Sequence, residues 1–198
     1  MWLVVGLGNP GRQYAGNRHN AGFMVIDELM RQSDKGSWRQ RMGAELAETV
    51  LGRKKAIFCK PMEFMNASGL AVGRVAAFWK IPLAQTVVVH DDMDIEFGRI
   101  KLAKAGGTGG HKGLASIVAE TGSESFCRVR FGIGRPPPAW EGADYVLANF
   151  SQDERRALPD LLEVAALATI AIIEDGLVAA MNRFNKRKKK TEEEDGTA

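Results

Sequence analysis

The sequence predicts an α/β fold, a single domain with one mixed, twisted β-sheet covered by helices on both faces. Three observations carry that reading. Short β-rich runs alternate with amphipathic stretches; Thr86-Val87-Val88-Val89 is the kind of apolar run a sheet buries on both faces; and polar or glycine-rich clusters sit where strand patterns run out. At 198 residues, 45% of them hydrophobic, the chain is long enough for one substantial core.

Trp2-Leu3-Val4-Val5-Gly6 reads as a buried first strand, followed by polar, turn-prone residues up to His19. Between residues 20 and 33, Phe23, Met24, Ile26, Leu29 and Met30 recur at helical spacing. Two strand-like runs then meet around Gly52, so the first elements are β, α, β, β. A second helix is expected after Asn66, a capping residue type, and runs to Trp79-Lys80 ahead of Pro82. The central strand follows and ends at His90-Asp91-Asp92. A strand near residues 99 to 103, a helix after the glycines of 106 to 113 and a strand at 127 to 133 come next. Two helical stretches follow Ser151, the first interrupted by Pro159. The predicted domain spans residues 1 to 185, and residues 186 to 198, charged and without apolar content, are expected to be a disordered tail.

Composition excludes several classes. No apolar run approaches the roughly 20 residues of a membrane-spanning helix, and Met1-Trp2-Leu3-Val4-Val5 lacks the pattern of a signal peptide, so a cytoplasmic protein is expected. Cys59 and Cys127 supply neither a disulfide framework nor a zinc-ligand spacing. The net charge is +3, of which residues 186 to 190 (KRKKK) contribute +5 and Glu192, Glu193, Glu194 and Asp195 −4, leaving +2 on the body. A polyanion would therefore need positive charge gathered on one face.

Three polar clusters carry chemistry. Gly6-Leu7-Gly8-Asn9-Pro10-Gly11 fits the GxGxxG dinucleotide pattern, but helical spacing begins only near Asn20, and Asp27 and Glu28 fall inside it, so a nicotinamide cofactor is not expected. Arg18-His19-Asn20 places a histidine just before a helix. His90-Asp91-Asp92-Met93-Asp94 ends the central strand in carboxylates, at the sheet edge where α/β sites form. A histidine oriented by a carboxylate is a general base near neutral pH. His19, His90 and His111 show no paired spacing of the HExxH kind, and no metal is expected. Asn66, at a strand-to-helix junction, is an amide suited to a carbonyl or a ribose hydroxyl. The glycines of 106 to 113 offer open amides at a helix start but lack the Gly-Lys-Ser/Thr of a nucleotide-hydrolysing loop. Lys101, Lys104, Lys112, Arg128, Arg130 and Arg135 form a phosphate-binding patch if their strands are neighbours.

Taken in order, GLGNPGxxYxxxRHNxG, KPxxxMNxSG, VxHDDMDxxxG, GGxGGHKGL and RxGIGRP resemble the signature blocks of the bacterial-type peptidyl-tRNA hydrolases, over about residues 3 to 150. The resemblance implies a monomeric α/β enzyme without metal or cofactor that cuts the ester between a peptide, or an N-blocked amino acid, and the 3′ ribose of tRNA. By matching motif it makes His19 the base that activates water and Asp91 its orienter. It has Asn9, Tyr14, Met65, Asn66 and Lys112 bind substrate, and Lys101, Lys104 and Arg130 grip tRNA phosphate. Lys112 stands where the family often has an asparagine; it donates hydrogen bonds but cannot accept one. Asn17 and Glu63 stand where threonine is usual. The alternative is a non-catalytic RNA-binding relative of the same fold, which has no chemical need for His19, Asp91, Asn9 and Asn66 together.

Overall fold

The computed structural model describes residues 1–33 and 36–186; apart from Lys186, the tail expected from residue 186 lies outside the described residues. Seven strands form one sheet in the order β2-β3-β4-β1-β5-β7-β6. In chain order these are β1 (Trp2–Gly6), β2 (Arg39–Arg41), β3 (Ala44–Leu51), β4 (Lys54–Pro61), β5 (Thr86–Asp92), β6 (Ile100–Lys104) and β7 (Cys127–Gly132). Pairs β1–β4, β1–β5 and β5–β7 are parallel; β2–β3, β3–β4 and β6–β7 are antiparallel. The sheet is mixed, as the sequence predicts. The chain builds first to one side of β1 and then to the other, which opens a crevice at the carboxyl ends of β1 and β5.

The helices are α1 (Ala21–Gln32), α2 (Ser68–Phe78), α3 (Lys112–Thr121), α4 (Gly142–Leu147), α5 (Gln152–Asp175) and α6 (Leu177–Phe184). The two-residue period of the strands divides the core into two layers. Val4, Val87 and Val89 pack with Val25, Ile26 and Leu29 of α1 and Ile172 of α5. Leu3, Val5 and Val88 pack on the opposite face with Val72 and Val75 of α2 and Leu114 and Ile117 of α3. At about 25 cal/mol per Å² of apolar surface, these two layers are the main stabilising term.

Gly22 brings α1 onto the sheet. A Cβ there would lie 2.4 Å from both the Leu7 amide and the Val89 carbonyl, so any larger residue would lift the helix, and the residues preceding it, away from the ends of β1 and β5.

Two local expectations are corrected, and two elements are added. Pro159 does not interrupt its helix: α5 runs unbroken through it. The flanking residues are largely exposed, so the Arg155 carbonyl that loses its partner is open to solvent, and a capping box of Ser151 and Glu154 fixes the start (Glu154 N–H to Ser151 Oγ 3.2 Å, Ser151 N–H to Glu154 Oε2 2.6 Å). Asn66 is not a cap; it lies inside a 3-10 turn, Met65–Ala67, that leads into α2. The six-residue α4 and the short edge strand β2 are additions that no apolar periodicity announced.

Candidate active site

Four segments meet at the carboxyl ends of β1 and β5. The loop after β1 supplies Asn9, a 3-10 turn (Arg18–Asn20) before α1 supplies His19, β5 ends in Asp91, and the loop before α3 brings His111. Asn9 and Asn20 clasp one another: the Asn9 N–H donates to Asn20 Oδ1 (2.9 Å) and Asn20 Nδ2 to the Asn9 carbonyl (3.0 Å). This clasp fixes the His19 turn against the end of β1. Asn9 Oδ1 accepts from the Met65 N–H at 2.8 Å, which leaves its Nδ2 for the cavity.

Asp91, 3% exposed, holds both ring systems. His19 Nδ1 lies 2.9 Å and His111 Nε2 3.0 Å from the same Asp91 Oδ1. Burial pushes the Asp91 carboxyl up, but the adjacent His111, as charge and hydrogen-bond donor, and the bond from His19 outweigh it and hold Asp91 well below the usual carboxylate range. An ionised Asp91 only accepts, so both imidazoles donate to it. The His111 tautomer is fixed independently, since its Nδ1 accepts from the N–H groups of Gly113 (3.1 Å) and Leu114 (3.4 Å) and caps α3. For His19, donation through Nδ1 leaves the Nε2 lone pair free, and the residue lines the central cavity.

That cavity is about 790 Å³ and has a mixed lining. Its lining includes the apolar side chains of Phe64, Met65, Met93, Leu114, Val146 and Leu147, the cations Lys112, Arg128 and Arg130, the carboxylates Asp92 and Asp94, and the glycine loop. Asn9 and Asn66 also line it, Asn66 exposed and without a side-chain hydrogen bond among the described residues. Lys112 is exposed at its mouth, the first residue of α3. Tyr14 is half-buried in a separate 3-10 turn, Arg12–Tyr14, and does not line the cavity.

The cations divide by strand register. Lys101 pairs with Arg130 and Ala103 with Arg128 across β6 and β7, all on the sheet face that lines the cavity side. Lys104 alternates with Ala103 and so falls on the opposite face with Leu102, whose side chain packs in the α5 layer; Lys104 and Lys101 therefore do not converge. Arg130 Nε is bonded to Asp92 Oδ2 at 2.7 Å. Arg128 is 4% exposed and spends its guanidinium on the carbonyls of Gly106 and Gly107, so it shapes the glycine loop rather than presenting charge. Of the amides in the 106 to 113 run that the sequence offered to an anion, that of Gly113 is taken by the His111 side chain.

His19, Asp91 and His111 are the only His/Cys/Asp/Glu cluster among the described residues with metal-ligating atoms within 4.8 Å of one another. With His111 Nδ1 accepting two backbone N–H bonds, Nε2 carries a proton and has no lone pair for a cation. Sequence spacing concealed this triad, because His111 lies twenty residues from Asp91.

His90 sits beneath the cluster, its ring edge-on to His111 with centroids 5.0 Å apart. Its Nδ1–H donates to the Asp91 carbonyl (2.7 Å), while Nε2 is buried without a partner. Burial and the neighbouring His111 push its pKa down to about 3. The folded state thus keeps His90 neutral while the unfolded chain protonates it near 6.5, so folding stability falls as pH drops through that window, by up to roughly 1.4 kcal/mol per pH unit. Urea unfolding midpoints between pH 7 and 4.5 check this: a decline that is shallower in His90→Asn is expected, and equal slopes in both proteins would contradict it.

Fold and site together define a single-sheet α/β protein with a buried histidine–carboxylate pair at the carboxyl ends of its strands. Residues 3–193 match the peptidyl-tRNA hydrolase family. The peptidyl-tRNA hydrolase of Frankia casuarinae is 48% identical over 184 residues, 93% of each chain, and that of Anaeromyxobacter dehalogenans 46% over 192 residues, 97% of this chain and all of its own. The crystal structure of the Acinetobacter baumannii peptidyl-tRNA hydrolase superposes with a TM-score of 0.88 at 30% identity, over 95% of this chain and 96% of that one. The chain belongs to the peptidyl-tRNA hydrolase family.

Proposed function

We propose that this protein hydrolyses the ester between a peptide, or an N-blocked amino acid, and the 3′ ribose of tRNA, working as a cytoplasmic monomer without metal or cofactor. The observation that carries the reading is the His19 Nδ1 to Asp91 Oδ1 contact of 2.9 Å at the wall of the cavity. His19 Nε2 takes a proton from water as the water oxygen attacks the acyl carbon, and Asp91 stabilises the imidazolium. When the tetrahedral intermediate collapses, the C–O bond to the ribose breaks and the imidazolium returns its proton to the 3′ oxygen. Asn9 and Asn66 supply amide donors for the carbonyl and ribose. Met65 and the other apolar lining residues receive the acyl group, and Lys112, Arg130 and Lys101 the nucleotide side. Tyr14 and Lys104 lie outside the cavity and have no part in this reading. Family membership supports the same substrate.

Release of N-acetylated amino acid from tRNA in the presence of a chelator tests this reading. Turnover that survives the chelator supports metal-free hydrolysis; turnover restored only by added metal would contradict it. Arg130→Ala is expected to raise KM and to flatten the dependence of log KM on log salt by about 0.9, the loss of one phosphate contact. An unchanged slope would remove Arg130 from the RNA grip.

A further inference from the structure

One buried charge beside the site has no chemical task in the reaction. Arg18 precedes His19, is 7% exposed and does not line the cavity. Its Nη1 donates to the carbonyls of Asn149 (2.8 Å) and Ala148 (3.4 Å), and its Nη2 to Glu154 Oε2 (2.7 Å). The guanidinium lies 4.3 Å from the Tyr145 ring centroid and 5.5 Å from that of Phe150. Backbone pairing reinforces the contact, with Arg18 N–H on the Ala148 carbonyl (3.1 Å) and Phe150 N–H on that of Gly16 (3.3 Å). Arg18 Nε is buried and unpaired, a desolvation cost that the other bonds of the guanidinium offset.

These bonds tie together three pieces of chain: the turn that bears His19, the end of α4 and the start of α5, whose capping Glu154 also accepts from Ser151. Gly142, Ala143, Val146 and Leu147 of α4 form one wall of the cavity. Tyr145, between them, is fixed a second time by its hydroxyl on the Ile133 carbonyl (2.7 Å). One guanidinium thus joins the turn that carries His19 to the helix that forms this wall.

We infer that Arg18 is a positioning residue that sets the separation between His19 and the α4 wall, and through it the size of acyl group the enzyme accepts. This rests on reading the cavity as the ester site. A planar fork stacked on Tyr145 and bonded to two carbonyls defines one separation; a lysine retains the ion pair with Glu154 but neither the fork nor the stacking. The chemistry at His19 is untouched, so the effect falls on acyl groups large enough to press against Val146 and Leu147.

The test compares the unsubstituted protein with Arg18→Lys on N-acetylglycyl-, N-acetylleucyl- and N-acetylphenylalanyl-tRNA. Displacements of an ångström suffice for large effects, so kcat/KM is expected to fall about threefold or less for the glycyl substrate and at least about tenfold for the phenylalanyl one, mostly through KM. A loss of equal size on all three would overturn the inference, because that is what a purely structural role produces. Should Arg18→Lys melt below the assay temperature, Glu154→Gln provides the second variant, with the same size order at smaller amplitude expected and a flat profile again overturning it. Absence of turnover by the unsubstituted protein on every substrate would contradict the hydrolase reading instead, so the two failures are distinct.

Discussion

His19→Ala is expected to lower kcat on N-acetylaminoacyl-tRNA by about 10³-fold or more, with tRNA affinity within about threefold of the unsubstituted protein, because a general base contributes roughly 10²–10⁴. The geometry explains why no neighbour substitutes for it. His111 is the nearest imidazole, its ring centroid 4.9 Å from that of His19, but its Nδ1 is engaged by the Gly113 and Leu114 amides and its Nε2–H by Asp91. His90, held neutral with a pKa pushed down to about 3, has its free nitrogen sealed in the core. Each of the other histidines thus lacks an accessible lone pair. Near-normal turnover by His19→Ala would show that the base lies elsewhere. The affinity measurement separates lost chemistry from a collapsed site, since the clasp between Asn9 and Asn20 does not involve the His19 ring.

Asp91→Asn is expected to cost about 10²–10³-fold in kcat, with a smaller change in KM. The amide oxygen can still accept from both imidazoles, so the fold has little reason to change, but the charge that stabilises the His19 imidazolium is gone. The oxygen held by His111 Nε2–H also keeps the His19 proton on Nδ1, so the loss expected is that of the charge, with the tautomer retained. Asp91→Ala is the less informative variant. It leaves two buried N–H donors without an acceptor, at about 1–3 kcal/mol each, and mixes a stability loss with the catalytic one. Single-turnover rates on a saturating blocked substrate, with thermal midpoints for both variants, check the difference; an Asp91→Asn protein as fast as the unsubstituted one would remove Asp91 from the mechanism.

The α/β alternation was legible because apolar period carries it: β1, α1, β5 and β7 fall where strand and helix spacing place them. The pairing of His19 with Asp91 was legible only through motif resemblance, since nothing local says that a turn before α1 and the end of β5, 72 residues apart, meet. The resemblance did not extend to His111 as the second donor to Asp91 or to Arg18 as the tie to α4, because both roles arise from contacts between loops that have no periodicity. Lys104 shows the opposite limit. Its charge is plain in the sequence, yet a shift of one residue along β6 sends it to the other face of the sheet from Arg130. Pro159 shows that a helix breaker in an exposed first stretch, behind a capping box, need not break the helix.

The most direct measurement is release of N-acetylated amino acid from its tRNA by the purified protein, with free aminoacyl-tRNA as control and tRNA binding followed in parallel. Rapid release confined to the blocked substrate, abolished in His19→Ala while tRNA binding persists, is the expected result; tight tRNA binding with no release by the unsubstituted protein would contradict the hydrolase and favour a chain that only binds RNA.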